Sequence, residues 1–574
     1  MKLFQGSSRR ILLTVILLTT GFLCVAVRLF SLQVVQATEL SKRAERQHEK
    51  SVVLEGERGT LFDRQGRILA TNVEVPSIYA IPSLIRDREA VVPDLARVLQ
   101  SDRRMIRKRL EGNKNFVWIE RKVSPTVARS VMELGIEGIG VLNESQRFYP
   151  KRNLLGHLLG FAGMDNHGLE GIELKYDTLL RGEKGWAVVE RDAFGHSIFQ
   201  KGLDDSITPS RGNDLVLTVD EVIQHIAETE LDAVIERTLA DSGSVIVMNP
   251  RTGEILALAV RPAFNPNRVE FQHPDQWRNR AVTDAYEPGS TFKIVTASAA
   301  LEERVASPGD IFYCEEGRMA VAGGVVRDHE KEGYLTFREV IQKSSNIGMI
   351  KIAMRMTDER LYRHIRAFGF GEKTGIDLEG EASGLIRDPK YWSGRSLASI
   401  SIGQEVAATP IQIITAVSAI ANGGALMRPH LVSEIRDPDG RVIKSFPPEI
   451  KRRAVSPQTA GTMMSILEGA VSEDGTGGKA AIPGYRVAGK TGTAQKIDPA
   501  TKRYSMQDTV SSFVGIVPAE DPRIVVLVVV DNPKGESWGG VVAGPVFKKI
   551  AEQVLRYLGV PPRTQERILL TSAG

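Results

Sequence analysis

Cysteine and histidine are scarce in this chain, with two of the former and nine of the latter in 574 residues. Cys24 sits inside an apolar N-terminal run and Cys314 far downstream, so an intrachain disulfide is not expected and the fold must rest on its core. The histidines show neither His-Glu-x-x-His nor paired-cysteine spacing, so no metal site and no cofactor is expected. Neither sign of charge prevails: a formal net charge of +4 gives no indication of nucleic-acid binding. No internal repeat is apparent, and the length points to a globular body of more than one domain.

A long hydrophobic run is present at the N-terminus. Lys2, Arg9 and Arg10 precede the apolar stretch Ile11–Val35, which is long enough to span a bilayer. Cleavage as a signal peptide is the alternative, since Val35-Gln36-Ala37 loosely meets the small-residue rule, but the apolar core is longer than such peptides usually carry. Lys42, Arg43, Arg46 and Lys50 flank the far side, so charge alone leaves the orientation open. The short tail makes a cytoplasmic N-terminus the default. The charged stretch Glu39–Lys50 reads as an exposed helix.

Three short strings come next, in fixed order: Ser290-Thr291-Phe292-Lys293, Ser344-Ser345-Asn346 and Lys490-Thr491-Gly492. A Ser-x-x-Lys or a Ser-x-Asn is expected by chance roughly once or twice in a chain this long, so neither is informative alone. Together they offer a nucleophile, a neighbouring base, a proton-relay pair and a cationic anchor for a carboxylate, the set that acyl transfer requires. Tyr286-Glu287-Pro288-Gly289 punctuates the chain before Ser290, and Ile294–Leu301 reads as an apolar, Ala-rich helix. Ser290 is thus expected in the first turn of a buried helix, with Lys293 on the same face. Desolvation there disfavours the ammonium, so that Lys293 can accept the Ser290 proton.

In these strings and their surroundings, Glu287–Lys293, Lys343–Gly348 and Val487–Gln495, the chain resembles the class B penicillin-binding proteins, most of all the division-specific FtsI type. The resemblance implies the penicillin-binding transpeptidase/serine β-lactamase-like fold, an α/β (α+β) architecture with a mostly antiparallel sheet flanked by helices. It also implies an N-terminal transmembrane helix and an α+β pedestal. By the same resemblance Ser290 attacks the penultimate D-Ala of a peptidoglycan stem peptide, Lys293 is the acylation base, and Ser344 and Asn346 relay a proton and hold the substrate amide. Lys490 and Thr491 bind the carboxylate, and Gly492 lets the edge strand approach the substrate. The backbone N–H groups of Ser290 and Thr493 form the oxyanion hole. β-Lactams would acylate Ser290. No glycosyltransferase domain is visible, so an FtsW-like glycosyltransferase and small bitopic division proteins are the implied partners, in the bacterial cytoplasmic membrane at the septum.

Other readings compete. Gly484-Tyr-Arg-Val-Ala-Gly-Lys-Thr491 satisfies the P-loop pattern, and Ile524–Asp531 resembles a strand ending in a magnesium-binding aspartate. A phosphate loop must come after a buried strand and open a helix, however, whereas Gly475–Pro483 precedes this one and Gly492 interrupts any helix that would begin after Lys490 and Thr491. An elongation-type homologue, a D,D-carboxypeptidase or β-lactamase using water, and a catalytically idle division scaffold are the remaining alternatives.

Expected boundaries are a cytoplasmic tail at 1–10, the anchor at 11–35 and the pedestal, of dimerisation type, at 36–208. The transpeptidase domain is expected at 209–560, with a C-terminal tail at 561–574. Arg58–Ala70, Gln146–Pro150, Leu155–Phe161 and Gly168–Glu173 resemble family pedestal signatures and read as structural. In the catalytic part, Glu221–Leu239 reads as a helix and Ser244–Met248 with Glu254–Val260 as a hairpin. Ile524–Val530 reads as a central strand, and Phe547, Ile550, Val554 and Leu558 as the apolar face of a last helix. Ser401–Gln412 matches a further family segment and reads as a structural loop and helix start, with Gln404 as a candidate for facing the cleft.

Overall fold

The computed structural model describes residues 4–37, 50–54, 56–112, 116–191, 197–198, 210–269, 273–322, 324–498, 500–501 and 503–563. Of the helix expected over Glu39–Lys50 only Lys50 is described, and it opens a strand; most of the C-terminal tail also lies outside the described residues.

Two compact units are present. One consists of residues 1–57 and 182–211. Its helix Phe4–Phe30 runs into a π-helical turn at Ser31–Val35, and Ile11–Val35 is long and apolar enough to cross a membrane. Leu17 and Phe22 there are more than three-quarters exposed, which water would not tolerate over such a length but lipid would. Lys50–Leu54, Gly185–Arg191 and Ser197–Ile198 complete the unit as a small antiparallel sheet.

The other unit, residues 58–181 and 212–574, holds the motifs. Its first part contains strands β1 (Leu61–Phe62), β2 (Ile68–Ala80), β3 (Val117–Glu120) and β4 (Ile139–Phe148), and then β5 (Asp214–Leu217). β2 pairs with β4 from Thr71↔Phe148 to Ala80↔Ile139, and β1 runs parallel to β5. That parallel pair joins residues far apart in sequence into one sheet.

The pedestal signatures supply this body's buried ionic core. Glu173 accepts from Arg58 Nε (2.5 Å) and Arg147 Nε (2.6 Å), and Arg58 Nη1 also reaches Asp177 (2.6 Å). Arg58, Arg147 and Glu173 are all buried. Burial alone would raise the Glu173 carboxyl, but the Arg147 and Arg58 guanidiniums outweigh it and hold the group below its ordinary value. Asp63 and Arg67, from the same signature, form a second network: Arg67 Nη2 donates to Asp220 Oδ1 (2.8 Å), which also caps the helix beginning at Glu221.

The catalytic part is organised by a five-stranded antiparallel sheet of β6 (Ser242–Met248), β7 (Ile255–Arg261), β8 (Ala488–Ile497), β9 (Tyr504–Val517) and β10 (Ile524–Asp531), in the order β7-β6-β10-β9-β8. Both faces are covered, and the middle strand β10 is accordingly an unbroken apolar run from Ile524 to Val530. Val526, Val528 and Val530 point to helices α1 (Glu221–Thr238) and, at the far end of the chain, Gly544–Tyr557; Val525, Leu527 and Val529 point to the opposite core. Burying the seven apolar residues of Ile524–Val530 contributes gross stabilisation of roughly 10–20 kcal/mol. Reserves of that size are what allow a fold to desolvate lysines at its site.

The opposite core is built from α2 (Lys293–Glu302), α3 (Asn346–Ala353) and α4 (Pro410–Ala421). Thr409 and Gln412 form a capping box at the start of α4. The last helix, α5 (Gly544–Tyr557), buries Phe547, Ile550 and Val554 as expected, but Leu558 is its C-cap and is 37% exposed. Leu555 takes its place in the core, because the helix ends before the next turn completes.

Candidate active site

Ser290 lies in the 3-10 turn Gly289–Phe292, from which α2 continues at Lys293. Gly289 has φ +54 and its N–H donates to Gly403 O (3.1 Å). A Cβ at Gly403 would collide with the Gly289 carbonyl, so two glycines permit the backbone contact that seats the Ser290 turn. The turn is tighter than the α-helical first turn expected from sequence, but Ser290 and Lys293 remain one turn apart.

Lys293 is fully buried. Its Nζ donates to Ser344 O (2.6 Å), Asn346 Oδ1 (2.7 Å) and Ser344 Oγ (3.3 Å). Desolvation pushes its pKa down to about 7, against an opposing pull from the Asp328 carboxylate. Such a lysine is substantially neutral near pH 7, as a base must be. Lys490, 1% exposed in β8, donates to Ser344 Oγ (2.8 Å) and Thr491 O (3.2 Å). Desolvation first, and the like charge of Lys293 second, hold it well below an ordinary lysine.

Ser344 is left-handed, with φ +60. A non-glycine residue there costs of order 1–3 kcal/mol and persists only where the surroundings impose it. Here they do. Ser345 caps α3 through Gly348 N (2.9 Å), and Asn346 Nδ2 donates to Arg327 O (2.9 Å), which leaves Asn346 Oδ1 facing Lys293.

β8 is an edge strand, paired on one side with β9 from Ala488↔Ile516 to Thr493↔Ser511. Thr491 Oγ meets Thr476 Oγ (2.9 Å), and Thr493 Oγ accepts from Gly539 N (3.0 Å). Gly492 serves a purpose the sequence did not suggest: a Cβ there would strike Ser512 Oγ and come within 2.8 Å of Thr291 Cγ2. Its missing side chain thus lets β8 close on the Ser290 turn. Because Lys490 and Thr491 lie within a strand that leads into another strand, no helix N-terminus is offered to a phosphate, and the P-loop reading fails.

Ser290, Ser344, Asn346, Thr491 and Thr493 share a cleft of about 810 Å³, while Lys293, Lys490 and Gly492 are buried behind it. Gln404 also lines the cleft, alongside its role in the loop before α4. Sequence reasoning missed Asp328, His329, Thr476 and Trp538, which border the same space; the His329 and Trp538 rings lie 4.1 Å apart. They come from irregular connections whose composition carries no periodic signal.

Residues 243–552 match the penicillin-binding protein transpeptidase domain and residues 53–217 the penicillin-binding protein dimerisation domain. The chain is 38% identical to Stage V sporulation protein D of Bacillus subtilis, over 97% of this chain and 87% of that protein. It is 33% identical to the peptidoglycan D,D-transpeptidase FtsI of Escherichia coli K12, over 95% and 91%. Among solved structures, penicillin-binding protein 3 from Mycobacterium tuberculosis, complexed with aztreonam, superposes with a TM-score of 0.69 at 28% identity, covering 89% of this chain and 98% of that one. With a buried Ser-x-x-Lys lysine, a Ser-x-Asn turn and a Lys-Thr-Gly edge strand converging on one cleft, the chain belongs to the class B penicillin-binding proteins and is a serine-type peptidoglycan D,D-transpeptidase.

Proposed function

We propose that this protein cross-links peptidoglycan stem peptides at the division septum through an acyl-enzyme on Ser290, and that β-lactams block it there. The observation that carries the reading is Lys293, buried one turn after Ser290, with a pKa lowered to about 7 and held by Ser344 and Asn346.

The donor stem peptide lies along the free edge of β8, as an added strand. Lys490 and Thr491 receive its terminal carboxylate. Neutral Lys293 takes the Ser290 Oγ proton as Oγ bonds to the penultimate D-Ala carbonyl carbon. The oxyanion rests on the Ser290 and Thr493 N–H groups. Collapse breaks the C–N bond, and the proton returns through Ser344 Oγ to the departing D-Ala amine. An acceptor amine then attacks the ester carbonyl carbon; the new C–N bond forms as the C–Oγ bond breaks, and the amine's proton passes through the same relay to Ser290 Oγ, which regenerates the serine. In a β-lactam the departing nitrogen stays tethered, so the ester persists.

Ile11–Val35 anchors the chain as a single span with a cytoplasmic N-terminus, the 36–208 segment acts as pedestal and the 209–560 segment as catalytic domain. An FtsW-like glycosyltransferase and bitopic division proteins would be its partners. The test is intact mass after incubation with a β-lactam, wild type beside Ser290→Ala. A lasting adduct on wild type alone is expected; an adduct on folded Ser290→Ala would overturn the nucleophile, and rapid adduct loss with drug hydrolysis would make the protein a β-lactamase.

A second reading, cross-linking during spore formation, draws on the 38% identity to Stage V sporulation protein D. Localisation of a fluorescent fusion in dividing cells separates the two: mid-cell recruitment with filamentation on depletion supports the septal role, and spore-specific expression supports the other.

A further inference from the structure

The short strand Gly324–Arg327 ends beside the Ser344 turn, and the two residues at its end touch that turn repeatedly. Asp328 Oδ2 accepts from Ser345 Oγ (2.5 Å), while Asp328 Oδ1 accepts from Asn346 N (2.5 Å) and Ile347 N (3.1 Å). The carboxylate thus satisfies orphan donors at the N-terminus of α3, where the helix dipole favours negative charge. Its own backbone is tied down, since Asp328 N donates to Gly317 O (3.1 Å). One residue earlier, Arg327 O holds the Asn346 amide by Nδ2.

We propose that Asp328 is a positioning residue for the transpeptidase reaction, fixing Ser344 and Asn346 against Lys293 by capping α3. It touches no reacting atom in the proposed mechanism, on which this inference rests. Its geometry acts in two ways. With the cap removed, α3 no longer dictates the left-handed turn at Ser344, so the relay hydroxyl and the Asn346 carbonyl drift from Lys293. Misplacement on the scale of an ångström costs on the order of a hundredfold in rate. Asp328 is also the carboxylate that opposes the desolvation of Lys293, whereas Lys490 on the other side of Ser344 has its own ammonium form disfavoured by burial and by the like charge of Lys293. Neutralising Asp328 lowers the pKa of Lys293 further.

The experiment is the second-order rate of acylation by a fluorescent penicillin, measured from pH 5 to 9 on folded wild type, Asp328→Asn and Ser345→Ala. For Asp328→Asn the expected plateau falls about tenfold or more, and the acid limb moves to lower pH. Ser345→Ala removes one partner of Asp328 but leaves its charge, so its plateau falls less and its acid limb stays in place. A merely structural role would lower the active fraction without moving the limb. If both variants match wild type in plateau and limb, the inference is wrong. Should Asp328→Asn fail to fold, an unreduced plateau in Ser345→Ala overturns the inference and a reduced one supports it. If wild type itself is never acylated, the acyl-enzyme reading fails instead.

Discussion

Lys293 and Lys490 converge on a single hydroxyl: Ser344 Oγ lies 2.8 Å from Lys490 Nζ and 3.3 Å from Lys293 Nζ. Two ammonium ions so close in a dry site would repel strongly, and desolvation already disfavours each. Burial and mutual repulsion therefore both favour loss of a proton from the pair. A neutral amine and a bridging hydroxyl are what a proton relay requires.

This pairing sets the pH dependence of acylation. Lys293 has a pKa lowered to about 7 by burial, and only its neutral form can take the Ser290 proton. Acylation by a penicillin is expected to rise with pH through about 7 and then level off. A rate that is flat from pH 5 to 9, measured by stopped-flow labelling, would remove Lys293 from the role of base.

Gly492→Ala tests the close approach of β8 to the Ser290 turn. The added methyl meets Ser512 and Thr291, so overpacking of about 1–3 kcal/mol is expected. Acylation should drop with the thermal midpoint. An alanine variant with full acylation and unchanged unfolding would mean that the glycine is dispensable for packing.

Arg58, Arg147 and Glu173 form a buried group in which each charge depends on the others. Replacing Glu173 by Gln leaves two guanidiniums short of an anion, at a cost of about 3–5 kcal/mol. Urea unfolding monitored by tryptophan fluorescence checks this. A loss below about 1 kcal/mol would show the network to be solvated and weak.

Removal of residues 1–48 deletes the apolar helix but none of the motifs. The shortened protein is expected in the soluble fraction, still labelled by penicillin, while the full chain sediments with membranes until detergent is added. A full chain that stays soluble without detergent would contradict the anchor.

Much of the site was legible because its residues are adjacent in sequence. Ser290 and Lys293 share a turn, Ser344 and Asn346 flank one helix start, and Lys490 to Thr493 lie on one strand; local periodicity and punctuation suffice for each. The central strand Ile524–Val530 was equally plain, since a strand covered on both faces needs an unbroken apolar run. Leu558 was misplaced because a helix end depends on the last hydrogen-bonded turn, which amphipathic spacing does not reveal.

By itself the sequence determined the nucleophile's neighbourhood, the family's three motifs, the apolar N-terminal span and the alternation of helices and strands, all of which are short-range properties of the chain. Tertiary structure alone decided that Asp328 caps the Ser344 turn, that Gly492 faces Thr291 rather than open space, that Arg58 reaches Glu173, and that β1 pairs with β5 across a long stretch of chain. It also decided the full burial of Lys293, which the sequence could only lead one to expect, because a lysine becomes a base at neutral pH only when burial removes its water, and burial is a property of the whole fold.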